Sequence, residues 1–260
     1  MKKIFFLLLL CVAAFGAAAE NGERELTVMT YNLRFGELAS MERLASEIRA
    51  ANPDFVALQE VDVNTMREIS KGNNCINFIN RLAELTGMFG FYGRTINFAG
   101  GYYGIGILSK HPAVKVEKMD LPNPKNVEPR IMLVGQFELD GIGHRFTFAC
   151  THFDYQDPNT ITAQARAAIE RLRTEPQPLI VAGDFNSEPE SAAIGLFTKD
   201  FKLLTGEEKT FPAKAPEKKL DWIFGYPAAD FTLVGATVPK PSIRSASDHL
   251  PIVSKIKVKF

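Results

Sequence analysis

Short apolar runs and helical periodicities alternate along nearly the whole chain. Runs at 26–31, 55–58, 102–108, 131–139, 145–150, 179–182 and 252–258 predict strands. Apolar residues at helical spacing predict helices over 41–51, 75–86 and 160–172, the first with Ser40 as its N-cap. Because strand hairpins, such as one turning at 140–143, are mixed with flanking helices, the pattern predicts an α+β fold of two packed sheets covered by helices.

The first nineteen residues follow a different pattern. Two lysines precede an apolar run over 4–14 and a small-residue stretch at 17–19. This order is typical of a cleavable secretory signal peptide, and the apolar run is too short to span a bilayer. We therefore expect a leader at 1–19, a single domain over 20–260 and a secreted or periplasmic monomer without stable membrane insertion.

Charge and cysteine content restrict the class of protein further. Without the leader the chain has 28 basic and 30 acidic residues, whereas non-specific nucleic-acid binders normally carry a basic excess. The balanced charge therefore argues against a nucleic-acid partner but does not exclude one. Only Cys75 and Cys150 remain, so the chain is not a disulfide scaffold. Cys150 lies in an apolar run and is expected to be a small buried side chain, with a Cys75–Cys150 bridge as the less favoured alternative.

Polar side chains capable of chemistry stand where the predicted strands end. Such residues are Asn32, Glu60, His152 and Asp184, with Asp248 and His249 just before the last strand. If these ends share one rim, several carboxylates and two imidazoles converge in a single cleft. A hard cation and a phosphate group both require a site of that kind.

Each of these signals also has a simpler interpretation. A glutamate after an apolar run, such as Glu60, is often only the first solvated residue. Asp184 and Asn186 could form a turn that bonds its own backbone. Asp221 differs, because it lies within an apolar run, where an unpaired carboxylate is costly. It needs a partner, and His249 is the candidate.

Seven short motifs together resemble a known family. They are Tyr31-Asn32, Leu58-Gln59-Glu60, Gly104-Ile105-Gly106-Ile107-Leu108-Ser109, Thr151-His152, Gly183-Asp184-Phe185-Asn186, Leu220-Asp221-Trp222-Ile223 and Ser247-Asp248-His249. Their order and approximate spacing resemble those of the endonuclease/exonuclease/phosphatase superfamily, the deoxyribonuclease I-like metal-dependent hydrolases, over about residues 27–258. The resemblance implies a four-layer α/β/β/α sandwich with its site at one edge of the paired sheets.

The resemblance also implies a metal and a base. Glu60 is similar to the main carboxylate for Mg²⁺ or Mn²⁺, with Asn32 and Asp248 completing the metal environment. Asp184 is similar to the residue that orients or deprotonates the attacking water, and Asn186 to its positioning partner.

Two histidines are implied to face the phosphate. His249 resembles the phosphate-contacting histidine held by Asp221, and His152 resembles a second histidine on the phosphate side. Both belong to the motifs above.

Three further residues are weaker candidates for substrate contacts. Arg130 could aim a guanidinium at phosphate or form a surface ion pair. Asp154, two residues after His152, could contact substrate or metal, although an ordinary loop residue is the more favoured interpretation. Tyr103 lies in a Gly- and Tyr-rich stretch that could supply an aromatic contact or merely pack.

The sequence therefore predicts an exported Mg²⁺- or Mn²⁺-dependent phosphoesterase that acts by direct water attack on a phosphomonoester or phosphodiester. The near-neutral charge favours a small-molecule or lipid-derived substrate. One alternative is a secreted endonuclease or deoxyribonuclease that acts on nucleic acid. A second, from another class, is a non-catalytic module that binds a phosphate ligand on the same fold.

Overall fold

The computed structural model describes residues 22–139, 145–239 and 245–260. Its α-helices are α1 (Met41–Ala51), α2 (Phe78–Thr86), α3 (Pro158–Leu172) and α4 (Ala192–Phe197). Its strands are β1 (Glu23–Asn32), β2 (Phe55–Val63), β3 (Phe89–Phe98), β4 (Gly101–Ser109), β5 (Ala113–Asp120), β6 (Ile131–Glu138), β7 (Arg145–His152), β8 (Leu179–Asp184), β9 (Lys202–Leu203), β10 (Asp221–Tyr226), β11 (Phe231–Thr237) and β12 (Ile252–Lys259). The predicted leader and the predicted turn at 140–143 lie outside the described residues.

The strands form two six-stranded sheets. The first has the order β11-β12-β1-β2-β4-β3 and the second the order β5-β6-β7-β8-β10-β9. Two neighbouring pairs are parallel, β1 with β2 and β7 with β8, and both carry candidate site residues at their ends. The predicted pairing of β6 with β7 as antiparallel neighbours is confirmed.

Apolar side chains divide the molecule into four layers. Between the sheets lies a core that includes Phe55, Ile107, Phe148, Ile180, Ile223 and Ile256. Helices α1 and α2 cover the outer face of the first sheet, and α3 and α4 cover the outer face of the second. The predicted α/β/β/α sandwich is therefore observed, and both helical layers bury one apolar stripe each.

Local capping explains where the helices begin. Helix α1 starts as predicted, because the Ser40 side chain accepts a hydrogen bond from the Arg43 N–H. Helix α2 starts three residues later than predicted, at Phe78. Its N-cap is Asn77, and Cys75 has a φ of +60°, which a right-handed helix does not contain.

Five strands were not predicted individually, namely β3, β5, β9, β10 and β11, and all of them except β10 lie at sheet edges. Strand β3 ends the first sheet and β5 ends the second. Their side chains alternate only weakly between buried and exposed. Strand β5 carries four charged residues, which discourage pairing with other chains and weaken its apolar periodicity, whereas β3 carries only Arg94 and is mostly half-buried or exposed.

The cysteines and the helices can be compared with two further expectations, a buried unpaired Cys150 and a chain without a membrane-spanning helix. Cys75 is exposed, Cys150 is buried, and both are free thiols, so the less favoured bridge is absent. Burial raises the pKa of the Cys150 thiol to about 12. Throughout the described part of the chain, every helix is too short or too polar to cross a bilayer.

Gly183 provides a test of how tightly β7 and β8 pack. A Cβ atom at this position would lie 2.1 Å from the Thr151 carbonyl oxygen, so the backbone must move. We expect Gly183→Ala to lower the free energy of unfolding by about 2–3 kcal/mol, measured by urea denaturation.

Gly195 in α4 is the matched control for that test. A Cβ there meets nothing within 4 Å, and Gly195→Ala should raise helix stability by about 0.5–1 kcal/mol. If Gly183→Ala and the wild type had the same urea midpoint of unfolding, the proposed packing would be contradicted.

Candidate active site

Strand register brings four predicted site residues to one edge of the two sheets. Asp184 ends β8 and stands opposite His152 of β7 and Asp221 of β10. In the other sheet, Asn32 is the last residue of β1, and its Nδ2 lies 3.1 Å from Asp184 Oδ2. The predicted convergence of strand ends is therefore observed across both sheets.

Glu60 reaches this edge through a β-bulge. Strand β2 continues to Val63, and its pairing with β4 shifts register between Leu58 and Val61. Inside the bulge Glu60 has a φ of +55°, and its Oε1 accepts a hydrogen bond from Asn32 Nδ2 at 3.1 Å. The prediction that the strand ends before Glu60 was wrong, because the inserted residue changes the direction of the side chain without ending the strand.

Asp184 is the centre of the site. Its carboxylate is buried, and Oδ2 lies 3.6 Å from His152 Nε2 and 3.7 Å from His249 Nε2. Burial raises the pKa of Asp184 to about 7, although the positive charge of His249 opposes the rise. A carboxyl group with such a pKa is suited to exchange a proton with water near neutral pH.

Asn186 contributes to the site through its backbone. Its φ of +46° turns its N–H onto Asp184 Oδ1 at 2.9 Å. Its side-chain Nδ2 donates to the Phe153 carbonyl at 3.0 Å and so joins the loops after β7 and β8. Asn186 therefore positions Asp184, as expected, but its side-chain amide holds a loop and does not face the cleft.

His249 is held by a buried acid. Its Nδ1 lies 2.9 Å from Asp221 Oδ2, which also accepts a hydrogen bond from the Thr210 hydroxyl. Burial alone lowers the pKa of His249, but the negative charges of Asp221 and Asp184 outweigh it and raise the pKa to about 10. The ring is therefore an imidazolium at neutral pH, and the partner inferred for Asp221 from its apolar surroundings is the one observed.

His152 is held in one tautomer by Arg130. The Arg130 Nη1 lies 3.1 Å from His152 Nδ1, and a guanidinium can only donate, so His152 carries its proton on Nε2. Burial, followed by the charges of Arg130 and His249, lowers the pKa of His152 well below its usual value. His152 is therefore a neutral donor directed at Asp184. The buried Arg130 supports this ring, and its Nη1 also lies 3.3 Å from Glu128 Oε1, so the ion pair considered above is present, with its arginine in the interior.

The two other weak candidates lie in different surroundings. Asp154 is fully buried, and its Oδ2 accepts the backbone N–H groups of Gln156 and Asp157 at 3.1 and 3.0 Å. This supports the loop interpretation of Asp154 and not a substrate contact. Tyr103 is buried: burial first, and then the Glu60 charge, raise the pKa of its hydroxyl well above the usual value.

Arg34 is a site residue that the sequence reasoning missed. Its guanidinium forms ion pairs with Asp248 and Glu37, and its backbone N–H donates to Asn32 Oδ1 at 3.0 Å. The signal in the sequence was a basic residue two positions after Asn32. That signal was weak, because an ion pair between residues 214 positions apart leaves no local pattern.

The donor groups at this edge fit a hard divalent cation. Glu60 supplies a carboxylate oxygen, the ligand type that Mg²⁺ and Mn²⁺ prefer, whereas the second predicted carboxylate, Asp248, is paired with Arg34. Asn32 fits less well as a direct ligand. Its oxygen accepts the Arg34 N–H, and its nitrogen faces Glu60, so it orients the Glu60 carboxylate.

A second group also has the spacing of metal ligands. Ligand-type atoms of Asp184, Asp221 and His249 all lie within 4.8 Å of one another. In this group His249 Nδ1 already bonds Asp221, and Asp221 also accepts from Thr210. These hydrogen bonds suit an acid–imidazole pair, whereas Glu60 is the carboxylate better placed to accept a cation.

The motifs and this geometry agree with comparisons to known proteins. Residues 29–249 match the Endonuclease/Exonuclease/phosphatase family, which is most of the chain. The protein therefore belongs to the Endonuclease/Exonuclease/phosphatase family. Members of this family are hydrolases that act on phosphoesters.

Solved structures of other proteins show the same fold. A Bacteroides thetaiotaomicron endonuclease/exonuclease/phosphatase family protein is 19% identical, with a TM-score of 0.74, over 92% of this chain and 100% of its own. The mannosyl-6-phosphatase of Bacteroides thetaiotaomicron VPI-5482 is 20% identical, with a TM-score of 0.70, over 89% and 99%. The human Nocturnin catalytic domain, with a bound sulfate anion, is 22% identical, with a TM-score of 0.71, over 89% and 93%. At these identities the similarity establishes the fold.

Asp221→Ala tests the buried acid–imidazole pair. The variant removes an acceptor that His249 and Thr210 share, and both lie in the interior. We expect the free energy of unfolding to fall by about 2–4 kcal/mol in urea denaturation of the metal-free protein. Asp230→Ala, at a turn before β11, serves as the control and should change it by less than about 0.5 kcal/mol. Equal midpoints for the two variants would show that the pair contributes no stability.

Proposed function

We propose that this protein is an exported Mg²⁺- or Mn²⁺-dependent phosphoesterase that hydrolyses a phosphomonoester or phosphodiester by direct water attack. The observation that carries the proposal is the position of Asp184 between two imidazoles, 3.6 Å from His152 and 3.7 Å from His249. A base flanked by two N–H donors is the arrangement that water attack on a phosphate requires.

Asp184 is the group that takes the proton from water. Asn32 Nδ2 and the Asn186 backbone N–H each bond one of its oxygens, at 3.1 and 2.9 Å. These two contacts fix the plane of the carboxylate. A base held in this way needs little reorganisation when the proton moves.

The two histidines bind the phosphate oxygens in different ways. His249 is held by Asp221 and is cationic, so it offers both charge and an Nε2–H donor. His152 is neutral and offers an Nε2–H donor that Arg130 fixes by occupying Nδ1. A phosphoryl oxygen between these rings accepts two hydrogen bonds while facing the base.

Glu60 and its neighbours account for the metal requirement. When bound, Mg²⁺ or Mn²⁺ neutralises phosphate charge and stabilises the charge that develops on the leaving oxygen. Glu60 would hold the cation, with Asn32 orienting its carboxylate and Asp248 adding negative charge nearby.

The preferred substrate class is a small-molecule or lipid-derived phosphoester. The mature chain is nearly neutral, which does not favour an extended nucleic-acid contact. The fold is similar to that of a mannosyl-6-phosphatase, which supports a sugar-phosphate type of substrate. It is also similar to the Nocturnin catalytic domain, which binds a tetrahedral sulfate anion.

Two other functions remain as alternatives. The first is a secreted endonuclease or deoxyribonuclease acting on nucleic acid. The second is a non-catalytic module that binds a phosphate ligand. The assembled Asp184, His152 and His249 favour turnover over binding alone, because a binding module needs no buried base.

Export belongs to the same proposal and rests on the leader pattern at 1–19. Expression of the full chain in a bacterial host with a secretory pathway should yield an exported protein that begins near residue 20. N-terminal sequencing of the extracytoplasmic fraction identifies the cleavage site. Retention of the intact leader in the cytoplasm would contradict this part of the proposal.

Substitution of the central groups tests the mechanism. Three variants should each reduce hydrolysis by at least about 10²- to 10⁴-fold. Glu60→Ala removes the carboxylate that would hold the metal, Asp184→Ala removes the base, and His249→Ala removes a donor to the phosphate. The assay is release of p-nitrophenol from bis(p-nitrophenyl) phosphate with Mg²⁺ or Mn²⁺, and circular dichroism checks the fold. Near-normal turnover by Asp184→Ala would defeat the mechanism.

The matched control is Asp120→Ala, an acid in a largely exposed ion pair on edge strand β5. Its activity should equal that of the wild type. EDTA should remove activity from both, and either metal should restore it.

A substrate panel separates the alternatives. Phosphate release from sugar phosphates and phospholipids, and nicking of plasmid DNA, are measured in parallel on the same preparation. Salt-sensitive DNA nicking without phosphate release would favour the nuclease. Tight binding of phosphate compounds without turnover, across several metals, would favour the binding module.

A further inference from the structure

Arg34 adopts a left-handed backbone conformation that residues with a side chain rarely adopt. Arg34 and Phe35 have consecutive φ values of +44° and +42°, and neither is glycine. Bulky residues rarely adopt this left-handed region, and when they do, the strained segment is often part of a functional site. The turn is fixed to the cleft, because Asn32 Oδ1 accepts the Arg34 N–H.

The strained turn directs the Arg34 guanidinium at the acidic side of the cleft. Nη1 pairs with Asp248 Oδ2 and Nε pairs with Glu37 Oε2. Asp248 is also close enough to Glu60 that its negative charge acts on the Glu60 carboxyl group. Arg34 is therefore a permanent cation placed between the acids of this corner, because a guanidinium does not lose its proton in proteins.

Arg43 shows what an ordinary ion pair of this exposure looks like. It pairs with Glu47 along helix α1, with side chains 39% and 20% exposed, against 37% and 21% for Arg34 and Asp248. Arg43 needs no unusual backbone, since it sits in a regular helix. Exposure therefore does not distinguish the two pairs. The strained backbone of Arg34 does, and so does the link that its N–H makes to the cleft residue Asn32.

A divalent cation at Asp248 would have to displace this guanidinium. A carboxylate already neutralised by arginine attracts a cation weakly, and two positive groups within a few ångströms of each other repel. Among the described residues, no cation forms an ion pair with Glu60: its hydrogen bond comes from the neutral amide of Asn32, and the charges of His249 and Arg130 act on it without direct contact.

We propose that Arg34 occupies the Asp248 corner, so that the cleft holds a single divalent cation at Glu60 and Arg34 serves as the fixed second positive charge. Arg34 is thus a positioning residue that sets the number of ions through Asp248. This inference rests on the metal-binding cleft of the proposed function and assigns its stoichiometry.

The number of bound Mn²⁺ ions tests the inference. Metal-free protein is titrated with Mn²⁺, and the bound ions are counted by electron paramagnetic resonance and isothermal titration calorimetry. The wild type and Arg34→Lys should bind one ion. Arg34→Ala should bind two, because Asp248 is released, and Arg34→Ala combined with Asp248→Asn should bind one again.

Affinity provides a second readout. Glu60→Gln should weaken Mn²⁺ binding by at least about 10-fold, since it removes the only full charge expected to bind the ion. Asp248→Asn should change it by less than about 3-fold, because Arg34 already neutralises that acid. Arg43→Ala is the matched control and should leave both the count and the affinity unchanged.

Several outcomes would overturn the inference. Two ions on the wild type, one ion on Arg34→Ala, or no Mn²⁺ bound at all would each do so. Thermal unfolding checks that every variant folds, and Arg34→Gln replaces Arg34→Ala if the latter does not. A rise from one ion to two without any hydrolysis would support the inference and remove the proposed function. If the protein hydrolysed its substrate but Arg34→Ala still bound one Mn²⁺ ion, the proposed function would stand and the inference would be wrong.

Discussion

Two carboxylates share the interior of the site, and their charges are the constraint that its other polar residues meet. Asp184 and Asp221 stand opposite each other on β8 and β10, and both are almost completely buried. Buried charges of one sign require partners. His249 lies against both acids and supplies the compensating positive charge, which explains why its pKa is high. The same electrostatic need makes His249 the cation that a phosphate would meet.

Much of this site could be predicted from the sequence because its parts follow local rules. Strands that end on polar residues, together with the parallel pairs β1–β2 and β7–β8, place those residues on one rim. The partner of Asp221 followed from the cost of an isolated acid in an apolar run. Helix α1 was predicted accurately because its cap, Ser40, acts within one turn.

The remaining features depend on information that is not local. The bulge at Glu60 arises from how β2 pairs with β4, and no composition signal marks it. The edge strands β3 and β5 lack clear alternation because few of their side chains are buried on either face. Arg34 was missed because neither its strained φ nor its distant partner Asp248 leaves a pattern in the sequence.

The site is divided between two sheets, and this has a consequence for remote residues. The 3.1 Å bond from Asn32 to Asp184 crosses from one sheet to the other. The separation of the sheets is set by the rings between them, where Phe55 stacks on Phe148 with centroids 5.0 Å apart. Protein interiors are packed as densely as organic crystals, so a change in ring size there shifts one sheet relative to the other. The thickness of the apolar layer between the sheets therefore sets the spacing of the polar groups at the sheet edge, and a substitution in that layer can alter the site without touching any of its residues.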